Sequence, residues 1–374
     1  MTHSTADGAP APRQAPLKGR GATRDVPHRF QAWAREAFDD GWEGASGEGR
    51  ATPRTEVVWE DARSALTRND SPDIFFDQAV NPYRGCEHGC VYCYARVAHG
   101  YLGLSPGLDF ETRLIAKRNI AALLRAELTR PGYRPRLINI GSATDCYQPI
   151  ERQLRLTRAL IELFSELRHP FALITKGSGV ERDIDLLAPL ARARLVAVQV
   201  TITTLDARLA RVLEPRAAAP QRRLRTIERL AQAGIPVGVS VAPQIPFLTD
   251  DMERVLAAAR DAGAGNAFYS VVRLPWELGG LMREWLAQHY PERAARVLAR
   301  IRELHGVQEG AEGDGAPLYR GDFATRMKGQ GPWAELLAQR FAQACARLGL
   351  AREHQALDLT QFRPWSVPDQ GALF

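Results

Sequence analysis

NPYRGCEHGCVYCYAR, residues 81 to 96, gathers three of the chain's five cysteines, Cys86, Cys90 and Cys93, into eight positions. The spacing Cys-x3-Cys-x2-Cys, with Gly85 and Gly89 free to turn the backbone, lets three thiolates fold round one soft metal centre. Three is an informative number. A structural zinc site or a closed iron–sulfur site takes four protein ligands, so three leave one coordination position for something else. Two other readings use the same residues. His88 or His99 would complete a zinc knuckle, and Cys90-Val91-Tyr92-Cys93 alone has the spacing of a thioredoxin-like redox pair, which leaves Cys86 unexplained.

Immediately before the cysteines lies a short β-rich run, Ala79 to Tyr83, and five more follow: Arg136 to Gly141, Phe171 to Thr175, Val196 to Thr203, Pro236 to Ala242 and Ala267 to Arg273. Amphipathic stretches of helical period fill the gaps near 151–168, 181–193, 222–233 and 250–262, with Gly234 and Gly263 placed as helix stops. This alternation predicts βα units and a parallel sheet, either open and doubly wound or an incomplete barrel, with the chemistry at the strand C-terminal ends. Arg113 to Lys117 does not fit the alternation and reads as an insertion. Polar and unusual residues collect at the expected ends: the cysteine string, SATDCYQPIE, TKGS, the Thr201/Thr203 pair and APQIP.

The cysteine string after the first strand of a six-fold βα pattern resembles the signature of the radical S-adenosylmethionine (radical SAM) superfamily. The resemblance implies a partial (β/α)6 radical SAM barrel over roughly residues 71–274. It further implies that Cys86, Cys90 and Cys93 hold a 4Fe-4S cluster whose open iron chelates S-adenosylmethionine (SAM), with an external electron donor of flavodoxin or ferredoxin type. Other strings are similar to the spore photoproduct lyase branch, also called "DNA repair photolyase"-like. Tyr92 and Tyr94 flank the third cysteine, where that branch has tyrosines implicated in radical transfer; packing beside the cluster is the plainer role. GSATDCYQPIE makes Thr144 and Asp145 candidate SAM contacts. Lys176 in ITKGS and Thr201 in VTIT match lyase positions that contact SAM. The lyase's hydrogen-donating cysteine aligns with Ser142, whose O–H bond is too strong to donate a hydrogen atom readily, which leaves neighbouring Cys146 as the candidate thiol. Fold and cofactor carry over on this resemblance better than substrate. A nucleic-acid substrate of repair type is the first expectation. A peptide, tRNA or small metabolite, or a non-catalytic iron–sulfur DNA-binding module, fits the same residues.

Around this core, residues 1–70 are rich in Gly, Pro, Ser and Ala and read as a mostly flexible leader, and residues 275–374 as a helical extension (281–289, 291–305, 333–348) with an extended tail. The chain has 374 residues and a net charge of +6, and the whole basic excess lies in the middle, where residues 81–274 carry 27 Lys and Arg against 18 Asp and Glu. That suits an anionic partner without naming one. Arg216, Arg222, Arg223 and Arg225 form either a phosphate-binding rim or an ordinary charged helix face, and Arg273 and Trp276 follow the sixth strand, where Trp276 would stack on a base or pack the sheet edge. The C-terminal Gln370, Leu373 and Phe374 resemble the short peptide by which bacterial repair and replication proteins attach to the DNA sliding clamp. No long apolar segment or signal peptide is apparent, and so few cysteines suit a reducing compartment, so a cytoplasmic location is expected.

Overall fold

The structure, a computed structural model, describes residues 17–31, 53–307 and 317–364. Ten strands occur there in chain order: β1 (Glu56–Glu60), β2 (Leu66–Arg68), β3 (Gln78–Val80), β4 (Tyr83–Arg84), β5 (Arg113–Lys117), β6 (Ile138–Ile140), β7 (Phe171–Thr175), β8 (Val196–Thr201), β9 (Val237–Gln244) and β10 (Asn266–Val271). The six expected strands are β3, β6, β7, β8, β9 and β10. They pair in parallel in the order β10-β9-β8-β7-β6-β3, and β2 adds an antiparallel edge beyond β3. The fold is therefore α/β, a partial (β/α)6 barrel with a helical C-terminal region.

Period-two alternation explains how the sheet separates core from chamber. Along β8, Val196, Val198 and Val200 enter the hydrophobic core shared with the outer helices, while Ala197, Gln199 and Thr201 line the inner cavity. The helices Leu156–Glu166, Ile184–Arg192, Pro220–Gln232 and Met252–Asp261 occupy the expected crossovers. Arg113–Lys117 stands outside the alternation, as its sequence suggests: β5 lies between β1 and β4 in a separate three-stranded sheet. That small sheet frames the cysteine loop, because β4 runs directly into Gly85 and Cys86.

The described part of the N-terminal leader differs from the flexible arm that its composition suggests. Arg20 Nη1 donates to the Glu111 carbonyl (2.8 Å), while the backbone N–H groups of Gly21 and Ala22 donate to the Glu111 carboxylate at 2.9 and 2.8 Å. A buried carboxylate rather than an apolar stripe holds this strap, and composition carries no sign of that.

The barrel's open flank, between β10 and β2, is closed by C-terminal residues. Val271 N–H donates to Met327 O at 2.9 Å, and Arg326 forms a two-pronged ion pair with Asp73 at 2.6 and 2.7 Å. The His354 ring is sandwiched between Phe75 and Phe268, with centroids 3.5 and 3.8 Å away. The helices Leu278–His289, Pro291–Leu304 and Gly331–Leu348 complete this extension.

Candidate functional site

A cavity of about 900 Å³ runs along the concave face of the sheet, and Cys86, Cys90 and Cys93 line it together. Their loop is shaped by Gly85 and Gly89, both at positive φ (78° and 68°). A Cβ on Gly89 would come within 2.7 Å of Glu111 Oε2, so only glycine fits there. The loop's backbone is tied from beneath by a fully buried Arg96. Its Nε donates to Cys90 O (2.8 Å) and its Nη1 to Gly107 O (2.8 Å), while Nη2 donates to Gly89 O and pairs with Glu111. Gln148 adds a second tie, donating to Gly85 O and accepting from Glu87 N–H.

Cys86 and Cys90 are buried, and Cys93 is partly exposed. Burial, with Asp145 and the other two cysteines nearby, pushes the Cys86 thiol well up, and burial pushes Cys90 up to about 12. Three thiols on one cavity, two of them buried, fit a cationic iron–sulfur centre, whose charge would offset that cost. A zinc knuckle fits poorly. His99 Nε2 bonds the Arg113 carbonyl at 3.1 Å and its ring packs on Phe110, while His88 Nδ1 faces Asp145 at 3.3 Å. Among the described residues no three His, Cys, Asp or Glu side chains converge on one ion. A cubane spreads its cysteines over separate irons and does not require such convergence.

Tyr92, Tyr94, Thr144, Asp145, Lys176 and Thr201 line the same cavity. Their remaining hydrogen-bonding capacity separates them. Asp145 is saturated: Oδ1 accepts from Thr175 Oγ1 (2.6 Å) and Tyr147 N–H (2.9 Å), and Oδ2 accepts from Lys176 N–H (2.6 Å). Burial would raise its pKa, but His88 and these donors hold it well below the usual range. Asp145 thus locks the loop after β6 to the end of β7. Thr144 donates to Tyr83 O at 3.2 Å. The Lys176 ammonium, by contrast, has no hydrogen-bond acceptor among the described residues, and lies 5.8 Å from the Tyr92 ring centroid.

Behind Lys176 sits a buried network that sequence reasoning missed. Glu214 accepts from Tyr92 OH and Thr203 Oγ1 and pairs with the buried Arg223, whose Nη1 also donates to Thr201 O at 2.9 Å. Burial would raise the Glu214 pKa, but Arg223 and Lys176, with the two hydroxyls, bring it down to about 2. Burial likewise opposes the Lys176 charge, while Cys90 and Glu214 hold its pKa above the ordinary value. An acidic residue flanked by an arginine nine positions on gives no sequence signal of this kind, because ion pairs on helix surfaces look the same.

One sequence expectation is corrected. Cys146 is fully buried in the hydrophobic core, with its thiol toward Ile174 O, and does not line the chamber. The turn at Gly141 (φ 89°) sends residues 142–145 along the cavity and Cys146 behind them. Of the two readings of the arginine run, the ion pairs favour the ordinary charged face: Arg216 pairs with Glu87, Arg222 with Glu181 and Arg223 with Glu214. Gln370, Leu373 and Phe374 lie outside the described residues.

Residues 80–259 match the family model of the radical SAM superfamily. The chain belongs to that superfamily. Radical SAM proteins use a 4Fe-4S cluster and S-adenosylmethionine, and they need an external electron donor. The chain is 33% identical over 316 residues to an uncharacterized protein of Mycobacterium tuberculosis, covering 83% of this chain and 86% of that protein. It is 26% identical over 239 residues to an uncharacterized protein of Methanocaldococcus jannaschii, covering 64% of this chain and 85% of that protein. Among solved structures it resembles a spore photoproduct lyase variant with bound AdoMet and dinucleoside spore photoproduct, with a TM-score of 0.55 and 15% identity over 80% of this chain and 82% of that one. At that identity the likeness is one of fold. Among the described residues no helix is long and apolar enough to cross a membrane.

Proposed function

We propose that this radical SAM enzyme binds a 4Fe-4S cluster through Cys86, Cys90 and Cys93 and acts on nucleic acid. The observation that carries the reading is the gathering of Cys86, Cys90, Cys93, the Lys176 ammonium and Thr201 on one cavity. When bound, the cluster delivers an electron that cleaves SAM to methionine and a 5'-deoxyadenosyl radical. The chain's residues do the rest. Lys176 binds an anionic group, which the SAM carboxylate supplies, and the Thr201 hydroxyl assists; Asp145 and Thr144 hold the loop that borders them. The closed flank keeps water from the radical's path.

The reaction differs from that of the lyase in its last step, since Ser142 stands in the chamber and Cys146 is behind it. Tyr94, whose hydroxyl donates to Ser142 O at the chamber rim, takes the radical-transfer role, and buried Tyr92 positions Glu214. A flavodoxin or ferredoxin type donor supplies the electron in the cytoplasm, and on the sequence alone the tail tethers the enzyme to the sliding clamp.

Anaerobically reconstituted protein with dithionite and SAM is expected to release 5'-deoxyadenosine, and deuterium from labelled oligonucleotides should appear in it. A full iron complement without 5'-deoxyadenosine would overturn the enzyme reading; transfer only from a labelled peptide or metabolite would replace the substrate. Lys176→Met should weaken SAM binding about 10- to 100-fold with iron content unchanged, as expected for a lost charge-assisted contact. Equal SAM affinity in the variant would remove Lys176 from the site.

A further inference from the structure

A second cavity, of about 600 Å³, lies against the cysteine loop. It is walled by residues 147–152 after β6, 177–182 after β7 and 216–218 and 222 after β8, and His88 lines both this cavity and the chamber. The two spaces thus meet at a residue that stands between Cys86 and Cys90 in the chain. Arg216 ties the loop to this wall: its backbone N–H donates to His88 O at 3.2 Å and its guanidinium pairs with Glu87 at 3.0 Å. Charge is layered across the wall. The Arg216 side chain is 32% exposed and its partner Glu87 5%, Arg222 is 34% and Glu181 10%, and Arg182 is 27% and Glu151 2%. Each carboxylate lies beneath its guanidinium, so the ion pairs fix the arginines in place and leave positive charge toward solvent. Arg152, on the same wall, is exposed and has no carboxylate partner among the described residues.

We infer that this face docks the external electron donor, a one-electron carrier protein whose redox group is ringed by carboxylates. The inference rests on the cluster and SAM reading above and names the surface through which the cluster is reduced. In that reading Lys176 and Thr201 hold SAM within the chamber. An electron arriving through the second cavity enters at His88 without crossing the space that SAM and substrate fill. The donor is oxidised by one electron, which reduces the cluster by one, and no bond forms or breaks in that transfer. Outward guanidiniums attract and orient an acidic partner through their field more than through tight contact. Electron-transfer encounters need only a small interface, so a shallow wall of this kind is enough. Nucleic acid fits the wall less well, because a phosphate takes a two-pronged grip from an open guanidinium fork. The forks of Arg222 and Arg182 are already engaged by Glu181 and Asp183.

The test uses full-length, cluster-loaded protein and a fluorescently labelled flavodoxin at low ionic strength. Fluorescence anisotropy should show binding that weakens at least about 10-fold in an Arg152→Glu/Arg222→Gln variant, and likewise for the unaltered protein in about 0.5 M salt, which screens exposed charges. Glu181 keeps Arg229 and Thr226 as partners in that variant, so the wall should hold its shape. At limiting flavodoxin, flavodoxin-driven release of 5'-deoxyadenosine should fall by a similar factor, while dithionite-driven release and iron content stay as they were. Arg347→Glu, on the helix Gly331–Leu348 and outside the cavity lining, should change none of these. Unchanged flavodoxin affinity in the double variant, an equal loss in Arg347→Glu, or salt-independent binding would overturn the proposal. A double variant that binds flavodoxin normally and loses affinity for an oligonucleotide would assign the face to nucleic acid instead. No dithionite-driven release from the unaltered protein would sink the enzyme reading, whereas normal release with flavodoxin binding indifferent to these arginines would sink the docking face alone.

Discussion

Cys90→Ala protein, reconstituted anaerobically, is expected to lose its brown absorbance, to fall from four irons per chain to a small fraction of that, and to show 5'-deoxyadenosine release reduced more than about 100-fold. A cubane retained by three protein thiolates has no spare ligand, so removing one strips an iron corner of its only protein bond and leaves the cluster to fall apart. Cys90 is the most revealing of the three because its carbonyl is held by Arg96 and its thiol lies near Lys176. The fold should survive, since the loop's shape depends on Arg96, Glu111 and Gln148 rather than on the sulfur. Cys345→Ala is the matched control: Cys345 is buried on the helix Gly331–Leu348 and does not line the chamber. Iron counts unchanged in Cys90→Ala, or equally reduced in Cys345→Ala, would refute the ligand assignment.

Glu214→Ala should destabilise the protein by about 3–5 kcal/mol in urea denaturation, the range for breaking a buried ion pair by removing one partner. Glu214 and Arg223 are each only 1% exposed at their side chains, so the orphaned guanidinium has no water to turn to. The same substitution leaves Tyr92 OH without its carboxylate acceptor and takes away the charge that steadies Lys176. Glu214→Gln keeps the shape and one acceptor, and it should cost less. A loss under about 1 kcal/mol for Glu214→Ala would mean that the network relaxes and that Arg223 has another partner.

The strand plan and the gathering of the three cysteines on one cavity were legible because each rests on local signals: apolar runs bounded by glycine, and thiols at fixed spacing. Phe171–Thr175 coincides with its expected limits, and Arg113–Lys117 stood out because it joins another sheet. What escaped depends on contacts distant in sequence. The strap at Arg20 meets Glu111 across 91 positions, and the clasp of Asp73 with Arg326 spans 253. Composition read the strap as a flexible leader because its partner is a polar group, which leaves no hydrophobic trace. Cys146 was misplaced for a different reason. Adjacency to Asp145 in sequence says nothing about which side of a turning loop a side chain takes, and the positive φ of Gly141 is invisible without coordinates.

The clasp that shuts the barrel's flank also sets an order of events during synthesis. Asp73, Phe75 and the cysteine loop leave the ribosome long before Arg326 and His354, so the wall beside the thiols cannot be sealed until residue 354 has been made. Until then the loop of Cys86, Cys90 and Cys93 lies beside a flank that lacks its contacts with Arg326 and His354.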